Sequence, residues 1–212
     1  MSQIEAPVAT VHERLVRAKA ASRSIGRLSG AEKTRVLNAI ADALVDATAR
    51  IVAANGDDLE RGASTGLAVG LLDRLRLDDG RIAALAEAVR EVAVLPDPIG
   101  EVVRGHRSPT GVAIEQVRVP FGVIGAIYEA RPNVTVDIAA IALRSGNAVV
   151  LRGGRAAEAS NAVLVEIMRD TLASHGIDPE AIQTIDEFGR EGARELMQAR
   201  GLVDVLVPRG SA

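Results

Sequence analysis

The chain of 212 residues contains no cysteine. That excludes disulfides, thiolate-ligated metals and a thiol nucleophile within this stretch of polypeptide. Lysine is nearly missing too: of 25 basic residues only Lys19 and Lys33 are not arginine, a bias read as mainly genomic base composition. No uncharged apolar run approaches the ~20 residues that span a bilayer, since Asp137 and Arg144 interrupt the most apolar region. The N-terminal stretch holds no apolar block of signal-peptide length, so the cytoplasm is the expected address. There is no G-x-x-x-x-G-K-[ST] loop, no H-E-x-x-H and no G-x-S-x-G. The three histidines, His12, His106 and His175, are scattered and read as surface residues, so no metal site is expected. A net charge of -3 argues against nucleic acid as a partner.

What is present is ordinary globular composition, 48% hydrophobic and 25% charged, enough for one large domain or two small ones. Helical spacing covers roughly 12–23. Ser29 and Glu32 spell a capping box, followed by Val36, Leu37, Ile40, Leu44, Ile51 and Val52 on one stripe. Asn55-Gly56 reads as the end of that pattern, and 57–70 as a short polar, glycine-punctuated stretch. A further helix is expected over 80–94, stopped by Pro96 and Pro98. From Ile99 to Val119 the period becomes two, and two strands flank the hairpin signal 107–111. Such a hairpin needs cover, either from another subunit or by continuation into the protein's own sheet.

Alternation then begins. Strands are expected at 121–127, 148–151, 181–185 and 203–207, with helices at 134–143, 159–174 and 190–200 between them. This is an α/β pattern, a parallel Rossmann-like sheet with right-handed crossovers. After Val207 a helix should follow and is not seen, so the fold reads as incomplete. Leu206 to Ser211 also spells LVPRGS, the recognition string of a tag-removing protease. The apolar strand beneath it favours a natural origin.

Candidate chemistry lies at the carboxyl ends of these strands. Gly153-Gly154 follows the second strand, where α/β sheets bind ligands and where glycine admits close approach; a plain turn is the alternative. Arg152 and Arg155 flank the pair and would suit a nucleotide 2′-phosphate, or would be surface arginines. In the loop 128–133, Arg131 is a candidate two-pronged contact for a substrate anion, its alternative being a salt bridge with Glu129 or Asp137. Asn133 is a candidate oxyanion donor, its alternative being the cap of the following helix. Gly210-Ser211 would be a phosphate-binding helix N-terminus in a complete fold.

The block VPFGVIGAIYEARPNVTVDIAAIALRSGNAVVLRGG, from Val119 to Gly154, resembles the γ-glutamyl phosphate reductases, a branch of the aldehyde dehydrogenase superfamily. Supporting stretches are 55–59, 72–75, 95–100 and 203–210. YEARPNVTVD followed by SGNAVVLRGG is specific, because most other branches carry a proline-tryptophan-asparagine loop and a lysine after the strand. The resemblance implies an aldehyde-dehydrogenase-like fold. It also implies NADPH-dependent reduction of L-glutamyl 5-phosphate to glutamate 5-semialdehyde and phosphate, in proline biosynthesis. In such enzymes a cysteine thiolate attacks the acyl phosphate. That cysteine would lie in polypeptide beyond this chain, so the chain alone is expected to be inactive and to bind cofactor weakly if at all. By position, Arg152 matches the superfamily's ribose-contacting lysine, and Gly210 and Ser211 match its glycine-serine pair. Asn133, or Arg131 if the loop aligns differently, matches its oxyanion asparagine. The implied division is 1–98 for the helical part of the cofactor domain, 99–119 for a homo-oligomerisation hairpin and 120–212 for the Rossmann-like part. The competing reading is a stand-alone, non-catalytic nucleotide-binding or interaction module.

Overall fold

The computed structural model describes residues 9–209. Five helices come first: α1 (Val11–Ile25), α2 (Gly30–Asp46), α3 (Thr48–Ser64), α4 (Val69–Leu75) and α5 (Asp79–Val94). Thr10 and Ser29 start α1 and α2 with complete capping boxes, each side chain accepting from the N–H three residues on and each N3 glutamate reaching back. These satisfy backbone donors that a helix start leaves open.

The expected stop at Asn55-Gly56 does not occur; α3 runs through it to Ser64. Asn55 is fully buried and its amide is used elsewhere. Nδ2 donates to Leu75 O (2.9 Å) and Ser160 Oγ (3.0 Å), while Oδ1 accepts from Leu77 N (2.7 Å). A side chain held this way has no reason to cap its own helix. The stripe that looked continuous from Val36 to Val52 is instead divided at Ala47, where α2 ends and α3 begins.

Strands β1 (Val102–Arg107) and β2 (Ala113–Val117) form an antiparallel pair that makes its own two-stranded sheet. Continuation into the main sheet, one of the two expected solutions, is therefore overturned. Every residue of both strands is exposed, Val102, Val103, Ile114 and Val117 among them.

The remaining elements alternate: β3 (Val123–Ile127), α6 (Pro132–Arg144), β4 (Ala148–Arg152), α7 (Glu158–Ser174), β5 (Ile182–Thr184), α8 (Gly189–Gln198) and β6 (Val205–Pro208). The strands form one parallel sheet in the order β5-β4-β3-β6. Their near-continuous apolar sequences are what a sheet covered on both faces demands. Helices α6 and α7 pack together on one side, backed by α2, α3 and α5, while α1 and α8 contact each other and the strands. The order runs outward from β3 to β5 and then jumps back to β6, so the direction of winding reverses between β3 and β6. Ligands of open α/β sheets bind at the carboxyl ends of the strands flanking such a reversal.

Two arginines cover the free edge of β5. Arg14 donates to Thr184 O, and Arg169 Nη1 donates to Ile182 O at 2.8 Å. Unpaired strand carbonyls are thereby blocked against pairing with another chain. Lys33, one of the two lysines, is buried, and its ammonium meets Asp97 at 3.0 Å. Partial burial pushes the Asp97 carboxyl up. The Ile99 N–H and the Lys33 ammonium outweigh it and hold the group below its ordinary value. Arg144 ties the same corner together through Gly30 O, Thr34 Oγ1 and Leu95 O.

Candidate active site

The carboxyl ends of β3, β4 and β5 are tied by a buried chain of hydrogen bonds. Tyr128, directly after β3, donates to Thr135 Oγ1 at 2.7 Å. Thr135, in the first turn of α6, donates to Asn161 Oδ1 at 2.7 Å. Asn161, in the first turn of α7, donates to Asp186 Oδ2 at 2.7 Å, and the Gly153 N–H donates to Asp186 Oδ1 at 2.6 Å. Every donor runs toward Asp186, which accepts at both oxygens. Burial pushes the Asp186 carboxyl above its ordinary value, against the opposing pull of Asn161, Gly153 and Arg152. The Tyr128 phenol is likewise raised by burial and by the nearby Asp186 charge. Buried polar groups satisfied this fully fix a single arrangement of the loops that carry them. None of these roles is visible in the sequence, because the partners lie 7 to 33 residues apart.

This chain explains one of the two candidate glycines. A Cβ on Gly153 would overlap Asn161 Nδ2 and come within 3.2 Å of the Tyr128 ring. A Cβ on Gly154 would lie 2.6 Å from the Ala130 backbone nitrogen. Both positions thus require glycine so that the loops after β3 and β4 can close on each other. Arg152, at the end of β4, reaches across to Gly189 O at the start of α8 (3.3 Å). Arg155 is exposed, at the short 3-10 turn before α7. The other two candidates, Gly210 and Ser211, lie outside the described residues.

A second buried constellation supports the same turn from beneath. Asp58 of α3 is fully buried and accepts from Ala159 N (3.1 Å), Ser160 N (2.8 Å) and Ser160 Oγ (2.7 Å), with Arg61 beside it. Helix α7 has no side-chain cap of its own. Asp58 supplies one from another helix, placing a carboxylate on the positive end of the α7 dipole. Asn55 and Asp58 belong to the Asn55–Leu59 stretch of the resemblance, and that was the only signal available for them.

Arg131 and Asn133 meet in one cleft of about 460 Å³ between the α4–α5 turn and the start of α6. Helix α6 begins at Pro132 with Arg131 as its N-cap, so the alternative reading of Asn133, as the helix cap, fails. Its exposed Nδ2 instead donates to Asp137 Oδ2 at 3.3 Å. Burial pushes the Asp137 carboxyl above its ordinary value, against Asn133 and the Arg209 charge. Arg209 follows β6 and donates its N–H to Ile127 O at 2.7 Å. Asp137 therefore sits between the cleft and the carboxyl ends of β3 and β6, where the winding reverses. None of the remaining lining residues was anticipated as functional, Asp73, Arg74, Arg76, Leu77 and Arg81 among them.

The aldehyde dehydrogenase family matches this sequence over residues 2–211. The chain belongs to that family. Curated relatives called gamma-glutamyl phosphate reductase are 62% identical over 92% of the chain in Kineococcus radiotolerans and 58% identical over 94% of it in Leifsonia xyli. The chain spans about half the length of these relatives, 45% and 48% respectively. The crystal structure of gamma-glutamyl phosphate reductase from Thermotoga maritima superposes with a TM-score of 0.93 at 34% identity, covering 96% of this chain and 49% of that one. A probable aldehyde dehydrogenase from Listeria monocytogenes superposes with a TM-score of 0.72 at 16% identity, which shows the shared fold alone. The expected aldehyde-dehydrogenase-like fold is borne out. Among the described residues no helix is long and apolar enough to cross a membrane, and no group of three or more potential metal ligands occurs.

Proposed function

We propose that this chain is the cofactor-side half of an NADP-dependent acyl-phosphate reductase that converts L-glutamyl 5-phosphate to L-glutamate 5-semialdehyde and phosphate in proline biosynthesis. One observation carries the reading: a cleft holding Arg131 and Asn133 lies beside the winding reversal between β3 and β6. A nucleotide at the reversal and an anionic substrate in the cleft would then be neighbours. The relatives' names supply the reaction class.

The residues fit a nicotinamide dinucleotide at its adenosine end. Arg152 stands at the carboxyl end of β4, and Arg155 presents an exposed guanidinium suited to a 2′-phosphate. The glycine pair contributes by closing the two loops rather than by leaving an open cradle. When bound, the cofactor supplies the hydride. This chain's own residues bind and orient. Arg131 faces the substrate anion, Asn133 offers its amide to the developing oxyanion, and Asp137 holds that amide in place. The thiol that accepts the acyl group is not here, since the chain has no cysteine. These 212 residues alone should not turn over.

The same reading divides the chain at 1–98, 99–119 and 120–212 and makes the hairpin an oligomerisation element. A two-stranded ribbon exposed on all its residues is marginal alone. Edge pairing with a second copy would cover Val102, Val103, Ile114 and Val117. A cytoplasmic address is part of this reading.

The test is a chimera joining residues 1–209 to the remaining half of the Kineococcus radiotolerans relative. The reverse reaction, phosphate-dependent reduction of NADP by glutamate semialdehyde, is followed by absorbance. Activity near that of the relative is expected. A chimera with a native circular dichroism spectrum and melting transition but no turnover refutes the assignment.

A further inference from the structure

The cleft beside Asp137 holds more positive charge than its role so far requires. Four arginines line it, Arg74, Arg76, Arg81 and Arg131, against two carboxylates, Asp73 and Asp137, which leaves a net charge of +2. Arg81 is committed: it pairs with Asp73 at 2.8 Å and donates to Arg76 O at 3.0 Å. The guanidinium groups of Arg74, Arg76 and Arg131 have no hydrogen-bond or ion-pair partner among the described residues. Among the described residues, nine ion pairs elsewhere on the chain engage other arginines and lysines; what sets this cleft apart is that three free guanidinium groups line one concavity. Arg74 and Arg131 also line the adjoining smaller cleft with Leu67, Leu71, Ala130 and the carboxylate Glu129, so they stand on the ridge between the two openings.

The chain is built to hold these groups there. Arg76 is the residue at which α4 ends, in extended conformation, and Asp78 then caps α5 by accepting from Arg81 N at 2.8 Å. Between them Leu75 and Leu77 are buried, and the Leu75 carbonyl and the Leu77 N–H are both bound by Asn55. The alternating pattern of this short link drives the two leucines inward and leaves Arg74 and Arg76 pointing out. Arg131 is placed from the other side, as the N-cap of α6 ahead of Pro132. Three planar donors supplied by two rigid turns suit a tetrahedral dianion, which accepts several charge-assisted hydrogen bonds at once.

We propose that Arg74 and Arg76 act with Arg131 as a clamp for the phosphoryl group of an acyl phosphate substrate. The assignment rests on the reductase reading and extends it to two residues of the α4–α5 link. A phosphate dianion matches the cleft's net charge of +2. The clamp would hold the leaving group next to Asn133, on the side of the cleft nearest β3 and β6.

The test uses the 212-residue chain labelled with nitrogen-15, observing arginine Nε–H signals. Inorganic phosphate, acetyl phosphate and adenosine 2′-phosphate are titrated separately. Phosphate and acetyl phosphate should give saturable shifts at Arg74, Arg76 and Arg131, with Arg50 and Arg90 unmoved. Adenosine 2′-phosphate should favour Arg152 and Arg155. Arg74→Gln and Arg76→Gln should each weaken phosphate binding about tenfold. Neither should change the melting temperature without phosphate, because neither side chain has a partner to lose among the described residues. Shifts spread evenly over surface arginines overturn the clamp. So does binding by the double variant within about twofold of the parent, or a preference of these three arginines for adenosine 2′-phosphate. An active chimera whose three arginines ignore phosphate sinks the clamp alone. Phosphate bound here beside a folded but inactive chimera sinks the reductase reading alone.

Discussion

Replacing Asp58 should cost more stability than any surface position in the chain. Its carboxylate is fully buried and accepts three hydrogen bonds from Ala159 and Ser160, besides its contact with Arg61. In Asp58→Ala two backbone N–H groups at the start of α7 lose their acceptor, the Ser160 one fully buried and the Ala159 one partly so. Loss of a cap costs about 0.5–2 kcal/mol, and each hydrogen bond to a charged group contributes about 1.5–3 kcal/mol. These contributions overlap, so the expected loss is about 3–5 kcal/mol, a large part of a domain's total stability. For a chain of this size that lowers the melting temperature by roughly 6–20 °C. Asp58→Asn keeps one acceptor oxygen and should lose about half as much. Urea unfolding followed by circular dichroism gives both values. Amide exchange should accelerate first at Ala159 and Ser160, and then at Gly153 and Gly154 on the turn just before them. A loss below about 1 kcal/mol for Asp58→Ala, or exchange that rises evenly over the whole chain, would refute the argument that one residue of α3 caps α7.

Gly154→Ala brings a methyl group against the Ala130 backbone. It should cost about 1–3 kcal/mol by overpacking and, in the chimera, raise KM by displacing the loop that carries Arg131. Unchanged KM would show that the two loops do not move together. Asp97→Asn leaves the buried Lys33 ammonium without a counterion. The expected loss is about 3 kcal/mol, the low end for a broken buried pair, because Asp97 is partly exposed. The parent's pH dependence follows the same pair. The folded-state value of Asp97 lies below its ordinary one, so the pair's contribution is complete above the ordinary carboxylate range. It is lost as pH falls through the lowered value. Acid titration of parent and Asp97→Asn should therefore converge at low pH, and parallel curves would contradict this. Finally, Ile114→Lys on the exposed hairpin should dissociate the oligomer of the chimera, read by light scattering. An unchanged mass would remove β1 and β2 from the interface.

Much of the fold was legible because it depends on local pattern. The Ser29–Glu32 capping box forms as its spacing requires. The apolar runs from Val123 to Val207 become the four parallel strands in the order of the alternation, with helix limits displaced by only a few residues. Periodicity suffices there, since each segment's apolar face must be buried whatever its partner. The errors fall where a polar residue is used by something distant. Asn55 reads as a helix terminator until Leu75, Leu77 and Ser160 are seen to consume its amide. Gly56 is then tolerated inside α3 at about 1 kcal/mol. Of the two readings of Asn133, the cap is the one that fails, for a local reason: Pro132 takes the first helical position and Asp137, one turn on, takes the amide.

The site divides the same way. Arg131, Asn133 and the glycine pair could be named in advance because they follow buried strands, and strand ends are where such sheets present their loops. Arg74 and Arg76 could not, since nothing local distinguishes them from the many other arginines. The sequence by itself determined the α/β alternation, the family and the absence of a thiol, because each follows from residue types and their spacing along the chain. Only the tertiary structure decided that Asp58 caps α7, that Asp186 gathers three strand ends, and that three unpaired guanidinium groups share one cleft. Hydrogen bonds and charge are settled by distance in space, and residues 7 to 102 positions apart acquire that distance only when the layers pack.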